Sequence, residues 1–141
     1  MNCIVTGGAG FIGSHLVDEL CKLGHDVTVL DNFSTGQEKN LHQSEKHISL
    51  VDCDLSNPVN LNEHFHKGAV VFHLAALADI VPSIQDPEAY FKSNVTATFN
   101  VVHAAQQAGV KKLIYAASSS CYGIPDSYPT PESAKVAPQY P

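Results

Sequence analysis

The chain has 141 residues, 44% of them hydrophobic and 16% charged, which is enough apolar material for one buried core and suits a single domain. A total of 8 Lys and Arg against 14 Asp and Glu gives a formal net charge of −6 with no basic cluster. The surface is therefore unsuited to nucleic acid or an anionic membrane, and any bound anion must be held locally, by backbone N–H groups.

Strand-like and helix-like segments alternate along the whole sequence, which predicts a parallel sheet with helices on its faces. The first strand, Cys3-Ile4-Val5, runs into Thr6-Gly7-Gly8-Ala9-Gly10-Phe11-Ile12-Gly13. Gly7, Gly10 and Gly13 at this spacing, between a strand and a helix, make a phosphate cradle: they allow a sharp turn, close approach of a pyrophosphate, and tight packing of helix on strand. Positions Phe11, Ile12, His15, Leu16, Glu19, Leu20 and Leu23 recur near a period of 3.6 and predict a helix that Gly24 stops. The second strand, Val27 to Leu30, ends at Asp31, the distance at which an acidic residue meets the ribose of a dinucleotide. A polar stretch with turn residues continues through Lys46 as a loop with room for a short helix.

Ile48 to Val51 forms the third strand, and Ser56-Asn57-Pro58 reads as the start of a short helix over Val59 to His66. The fourth strand is Ala69 to His73. Asp86-Pro87-Glu88 caps a longer helix in which Phe91, Val95, Phe99, Val102 and Ala105 share one face, taken here as the core face, before Gly109 closes it. The fifth strand, Lys112 to Ala117, ends at Ser118-Ser119-Ser120. From Ile124 onward five prolines mark a loop.

Two other chemistries are weighed and set aside. Asp52 and Asp54 make a poor metal cage without a further ligand, and His64-x-His66 lacks a third ligand at sensible spacing, so no metal site is expected. Cys121 has no neighbouring cation or base to activate it and reads as filler. Cys3, Cys21, Cys53 and Cys121 lie far apart, as reduced thiols do in a cytoplasmic protein. The N-terminus lacks the form of a signal peptide, and no apolar stretch approaches a bilayer span.

With these residues in hand, the chain resembles the extended short-chain dehydrogenase/reductase family, in its nucleotide-sugar epimerase and dehydratase branch. Five segments carry the resemblance in order: Thr6 to Gly13, Asp31-Asn32-Phe33-Ser34-Thr35-Gly36, His73-Leu74-Ala75-Ala76, Ser93-Asn94-Val95, and Ser118-Ser119-Ser120-Cys121-Tyr122-Gly123. The second is similar to the ribose loop of UDP-glucose 4-epimerases. The resemblance implies a Rossmann-type, doubly wound α/β sheet of about five strands in the order 3-2-1-4-5. It implies NAD as cofactor, bound by Gly7, Gly10, Phe11, Ile12, Gly13, Asp31, Asn32, Ser34, Thr35, Gly36, Asp54, Leu55, Leu74, Ala75, Ala76, Ser93 and Asn94.

Asp31 would accept from the adenosine ribose hydroxyls and repel a 2′-phosphate, favouring NAD over NADP. Asp54 would accept from the adenine amine beside Leu55, and Asn94 would order the loop behind the nicotinamide. Ser118, four residues before Tyr122, would be the catalytic hydroxyl, with Ser119 and Ser120 on the substrate; the alternative is a serine run that caps a strand. The family's Tyr-x-x-x-Lys base is absent, and Pro141 falls where a proline precedes that tyrosine. Residues 1–141 are thus expected to be the cofactor domain of a longer enzyme, without its substrate domain and inactive alone.

For the full-length protein the resemblance implies a nucleotide-sugar 4-epimerase, with a UDP-sugar as partner and a homodimer as assembly. A 4,6-dehydratase, another NAD-dependent dehydrogenase and a non-catalytic NAD sensor or scaffold stay open beside it. The dehydratases carry Asp-Glu where Ser119-Ser120 stand here.

Overall fold

The computed structural model describes residues 1–139; Tyr140 and Pro141, and with them the expectation placed on Pro141, lie outside the described residues. Five strands form one parallel sheet: β1 (Asn2–Thr6), β2 (Asp26–Asp31), β3 (Ile48–Asp52), β4 (Val70–His73) and β5 (Lys112–Tyr115). Their spatial order is β3-β2-β1-β4-β5, as the resemblance implied. The chain reverses direction of winding at β1, so a crevice opens between the C-terminal ends of β1 and β4, where open α/β sheets bind ligands.

Both faces of the sheet are covered, which is why its inner strands are almost continuously apolar. Alternate side chains of β1 go to opposite faces. Ile4 joins Leu30, Leu55, Leu61, Phe65, Val71, Val101 and Ala105 in one cluster, while Cys3 and Val5 join Val17, Leu20, Val27, Val29 and Leu41 in the other. Helix α1 (Phe11–Lys22) covers the second cluster. The first lies under α4 (Ala97–Ala108), the last part of a long rod that starts as α3 (Pro87–Tyr90) and passes through a π-helical turn over Phe91–Thr96. Full burial of a Val, Leu or Ile side chain contributes about 1.5–3 kcal/mol, so these two clusters supply most of the drive to fold.

Several sequence expectations are corrected. The face of the long helix carrying Phe91, Val95, Phe99 and Val102 is exposed, with Phe99 66% accessible; the sheet is met instead by Ala97, Val101, Ala104 and Ala105. Small residues let α4 approach the strands closely, and the bulky positions have the periodicity of a core face because apolar periodicity marks a face without saying what covers it. The same holds in α1, where Gly13, Ser14, Val17, Asp18 and Leu20 are buried, and Phe11 and Leu23 are 80% and 70% exposed.

The helix expected over Val59 to His66 is a single 3-10 turn at Leu61–His64, preceded by Asn60 in a left-handed conformation. β5 stops at Tyr115, two residues short of Ala117. A short helix α2 (Ile80–Gln85), unannounced by periodicity, fills the connection after β4, and the polar loop before β3 holds 3-10 turns at Glu38–Leu41 and Glu45–His47.

Candidate cofactor site

The crevice at the C-terminal end of β1 is a cavity of about 490 Å³, within the range of about 300–1,000 Å³ common for small-molecule and cofactor sites. Gly7, Gly10, Phe11, Ile12, Gly13, Asp31, Asn32, Ser34, Thr35, Gly36, Asp54, Leu55, Leu74, Ala75, Ala76 and Ser93 all line it. Residues from separated segments, singled out in the sequence as cofactor-binding, thus meet around one space.

The glycines are required by the geometry. Gly7 has φ +69°, and a Cβ there would stand 2.7 Å from the Ala75 backbone nitrogen. A Cβ on Gly13 would collide with the Gly7 carbonyl oxygen, and one on Gly8 would stand 2.7 Å from a Val29 methyl. The turn therefore presses α1 onto the sheet and leaves no side chain between the helix start and the cavity. No side chain caps that helix at Gly10, and its first turn holds no acidic residue. First-turn N–H groups have no intrahelical partner, so this N-terminus presents free donors and the positive end of the helix dipole to whatever occupies the cavity.

Asp31 fixes the second wall. It is 7% exposed; one carboxylate oxygen accepts from the Ala9 N–H at 2.9 Å and the other from the Phe33 N–H at 2.8 Å. These bonds tie the end of β2 to the glycine turn and leave each oxygen one further lone pair. A Cβ on Gly36 would lie 3.1 Å from Asp31 Oδ1 and 2.9 Å from the Ala9 methyl, so the segment from Asn32 to Gly36 folds back tightly over the carboxylate.

The opposite wall hangs on the buried pair Thr6 and His73 and on half-buried Asn94. Thr6 Oγ1 accepts from the N–H groups of Leu74 (3.2 Å) and Ala75 (3.3 Å) and lies 2.6 Å from His73 Nδ1. With its acceptor positions used, the threonine hydroxyl donates its proton to Nδ1; the ring proton sits on Nε2 and is donated to Thr98 Oγ1 at 2.9 Å. His73 is wholly buried, and burial pushes its pKa down to about 4, so it is a neutral strut at ordinary pH. Further along, Asn94 accepts from the Leu77 N–H at 2.8 Å and donates to the Leu77 carbonyl at 2.9 Å. Asn94 is set behind the lining and clamps the loop that forms it.

Asp54 stands at the rim. Its Oδ1 accepts from the Ser56 hydroxyl (2.6 Å) and N–H (2.9 Å), and Oδ2 lies 3.4 Å from Lys92 Nζ. The Ser56 hydroxyl first, then the Ser56 N–H and the Lys92 ammonium, hold this carboxyl below its ordinary pKa against some desolvation. Sequence reasoning missed Ser56, Leu77 and Lys92 as lining residues, along with Leu30, Cys53, Ala89, Ala97 and Ala116. Lys92 adjoins the Ser93-Asn94 segment, but the π-helical turn that aims it has no sequence marker of its own.

The serines are placed differently. Ser118, Ser119 and Ser120 follow β5 at the same end of the sheet, all exposed, and none lines the cavity; Ala116 is the nearest lining residue in the chain. Ser118 Oγ accepts from the Ser120 N–H at 3.1 Å and lies 3.0 Å from the Ser120 hydroxyl, starting a 3-10 turn over Ser119–Tyr122. The tail returns to this loop: Ala137 N–H donates to the Cys121 carbonyl at 2.9 Å. Among the described residues no group of three or more His, Cys, Asp or Glu could hold a metal ion, and no helix is long and apolar enough to cross a membrane.

Comparison with known proteins draws the same outline. A UDP-glucose 4-epimerase of Mycolicibacterium smegmatis is 42% identical over 149 residues, covering 100% of this chain and 46% of its own length. A UDP-N-acetyl-alpha-D-glucosaminuronate decarboxylase of Bacillus cytotoxicus is 38% identical over 121 residues, covering 86% of this chain and 37% of its own. The crystal structure of the Thermus thermophilus UDP-glucose 4-epimerase in complex with NAD superposes with a TM-score of 0.87 at 35% identity, over 99% of this chain and 45% of that one. The chain thus spans less than half the length of these relatives. Residues 3–141 match the family described as NAD dependent epimerase/dehydratase, so nearly the whole sequence is accounted for. With its glycine turn, buried Asp31 and clamped loop converging on one cavity, the chain belongs to the NAD-dependent epimerase/dehydratase family.

Proposed function

We propose that this chain is the NAD-binding part of a nucleotide-sugar 4-epimerase that acts on a UDP-sugar. The observation that carries the reading is the uncapped N-terminus of α1 facing a cavity whose other wall holds a buried, backbone-anchored Asp31. That arrangement fits a pyrophosphate on the free N–H groups and a ribose diol on the carboxylate, and Asp31 disfavours a 2′-phosphate. Asp54 would accept from the adenine amine, with Leu55 against the base. Asn94 holds the Leu77 loop that would lie beside the nicotinamide. When bound, NAD supplies reversible hydride exchange with C4 of the sugar.

Ser118 would hydrogen-bond the oxygen of that carbon, and Ser119 and Ser120 would contact substrate. The proton acceptor of the reaction is a Tyr-x-x-x-Lys pair that this sequence does not contain, so 141 residues bind cofactor without turnover and a further domain grips the nucleotide. The exposed apolar face of Phe91, Val95, Phe99 and Val102 supports a helix-mediated homodimer of the full protein.

A second reading has one specific observation in its favour: the decarboxylase relative at 38% identity shows the same half-sequence serving a different net reaction. In the dehydratases the residues after the catalytic hydroxyl are acidic, and Ser119-Ser120 here support epimerisation over elimination. Two measurements test the proposal. Calorimetry of the intact chain is expected to show NAD binding and much weaker NADP binding. A protein in which this chain continues into a substrate domain, given UDP-galactose without reductant, is expected to yield UDP-glucose without net NADH. Accumulating NADH, or release of carbon dioxide from a UDP-uronic acid, overturns the epimerase assignment.

A further inference from the structure

Lys92 is the only Lys or Arg among the described residues lining the cavity, which also carries two carboxylates, Asp31 and Asp54. Its ammonium crosses from the helix after β4 to the loop after β3, 38 positions away, and meets Asp54 at Oδ2. The other Asp54 oxygen is already filled by the Ser56 N–H and hydroxyl. Oδ2 is therefore the oxygen left for a ligand, and Lys92 stands beside it.

The local backbone is shaped for this. Consecutive side chains are about 100° apart around an α-helix, so three in a row cannot share one side. Phe91–Thr96 instead forms a π-helical turn, wider than an α-turn and of a kind common at functional sites. In it Lys92 and Ser93 line the cavity while Asn94 clamps Leu77. The widened turn serves all three.

We propose that Lys92 is a positioning residue for cofactor affinity: by pairing with Asp54 it holds that carboxylate in place, with Oδ2 turned to the ligand. The effect runs through Asp54, not through a direct bond to phosphate, because Lys92 already has its partner. The side chains of the pair are 63% and 47% exposed, so the effect is modest and screened by salt.

The inference rests on the NAD reading above, and a double-mutant cycle separates the two. NAD binding to the intact chain is measured by calorimetry at low and high ionic strength for the wild type, Lys92→Gln, Lys92→Arg, Asp54→Asn and the Lys92→Gln/Asp54→Asn double variant. Lys92→Gln is expected to weaken binding about threefold at low ionic strength, with the difference vanishing at high ionic strength. Lys92→Arg restores affinity, and in the Asp54→Asn background Lys92→Gln changes nothing. An equal loss in both backgrounds would assign Lys92 to the phosphates and overturn the proposal, as would no loss when Asp54 is present. Absence of NAD binding by the wild type would overturn the cofactor reading itself and this inference with it.

Discussion

The glycine turn and the serine loop sit at the same end of the sheet and are built differently. Around the turn, polar atoms are buried or half-buried and cross-linked over long sequence distances: Asp31 to Ala9, Thr6 to Leu74 and Ala75, His73 to Thr98. Around the serines every side-chain bond among the described residues is exposed and local, Ser118 to Ser120. A site that must present donors to an anion without reorganising is set by its own fold. The serine loop is held only by its own local bonds and by the returning tail at Ala137.

The contrast can be broken from either side. The largest effect is expected from Gly13→Ala, whose Cβ meets the Gly7 carbonyl and the Gly8 Cα, neither of which can yield; a loss of about 3 kcal/mol in denaturant unfolding is expected. A loss below about 1 kcal/mol, on the order of a surface change, would show that the turn is looser than described.

Acid gives the next effect. His73 is neutral when folded down to about pH 4, while the unfolded imidazole protonates near pH 6.5. Above pH 6.5 neither state takes a proton and stability is unaffected. As pH falls from 6.5 to 4 only the unfolded chain takes one up, so up to about 3 kcal/mol is lost in that window. Unfolding midpoints of wild type and His73→Gln across pH 4 to 7 should converge toward acid; parallel curves would remove the histidine from the explanation.

Asp31→Asn replaces one acceptor oxygen by a donor facing a backbone N–H, and should cost about 1–3 kcal/mol together with most NAD affinity. Full stability in this variant would mean that the carboxylate does not hold the turn. The smallest effect belongs to Ser118→Ala, expected within about 0.5 kcal/mol of wild type, since it removes one exposed local bond. A loss comparable to that of Asp31→Asn would erase the distinction between the two regions.

What the sequence disclosed follows the same division. The strands, the glycine turn and the acidic end at Asp31 could be read because they are imposed by local geometry, whereas the strand order and most of the cavity lining came only through the family resemblance. Helix faces could not: Phe91, Val95 and Phe99 have the periodicity of a core, and only the position of Ala97, Val101 and Ala104 against β4 shows which side faces inward. Apolar pattern reports a face to be covered, whether by the sheet or by something outside the chain. Lys92 escaped for another reason. Its direction depends on a π-turn, and its partner Asp54 lies on the far wall, so neither fact is local in sequence.

The strand order also governs how the chain comes into being. β1 is the central strand and emerges before the other four, yet one of its two neighbours, β4, pairs Thr6 with His73, 67 residues later. At synthesis rates of about 5–20 residues per second, β1 waits about 3–13 seconds with one edge open. Until β4 arrives, the glycine turn lacks the wall formed by Leu74 and Ala75. The binding crevice is thus a late product of folding, closed by the same pairing that completes the middle of the sheet.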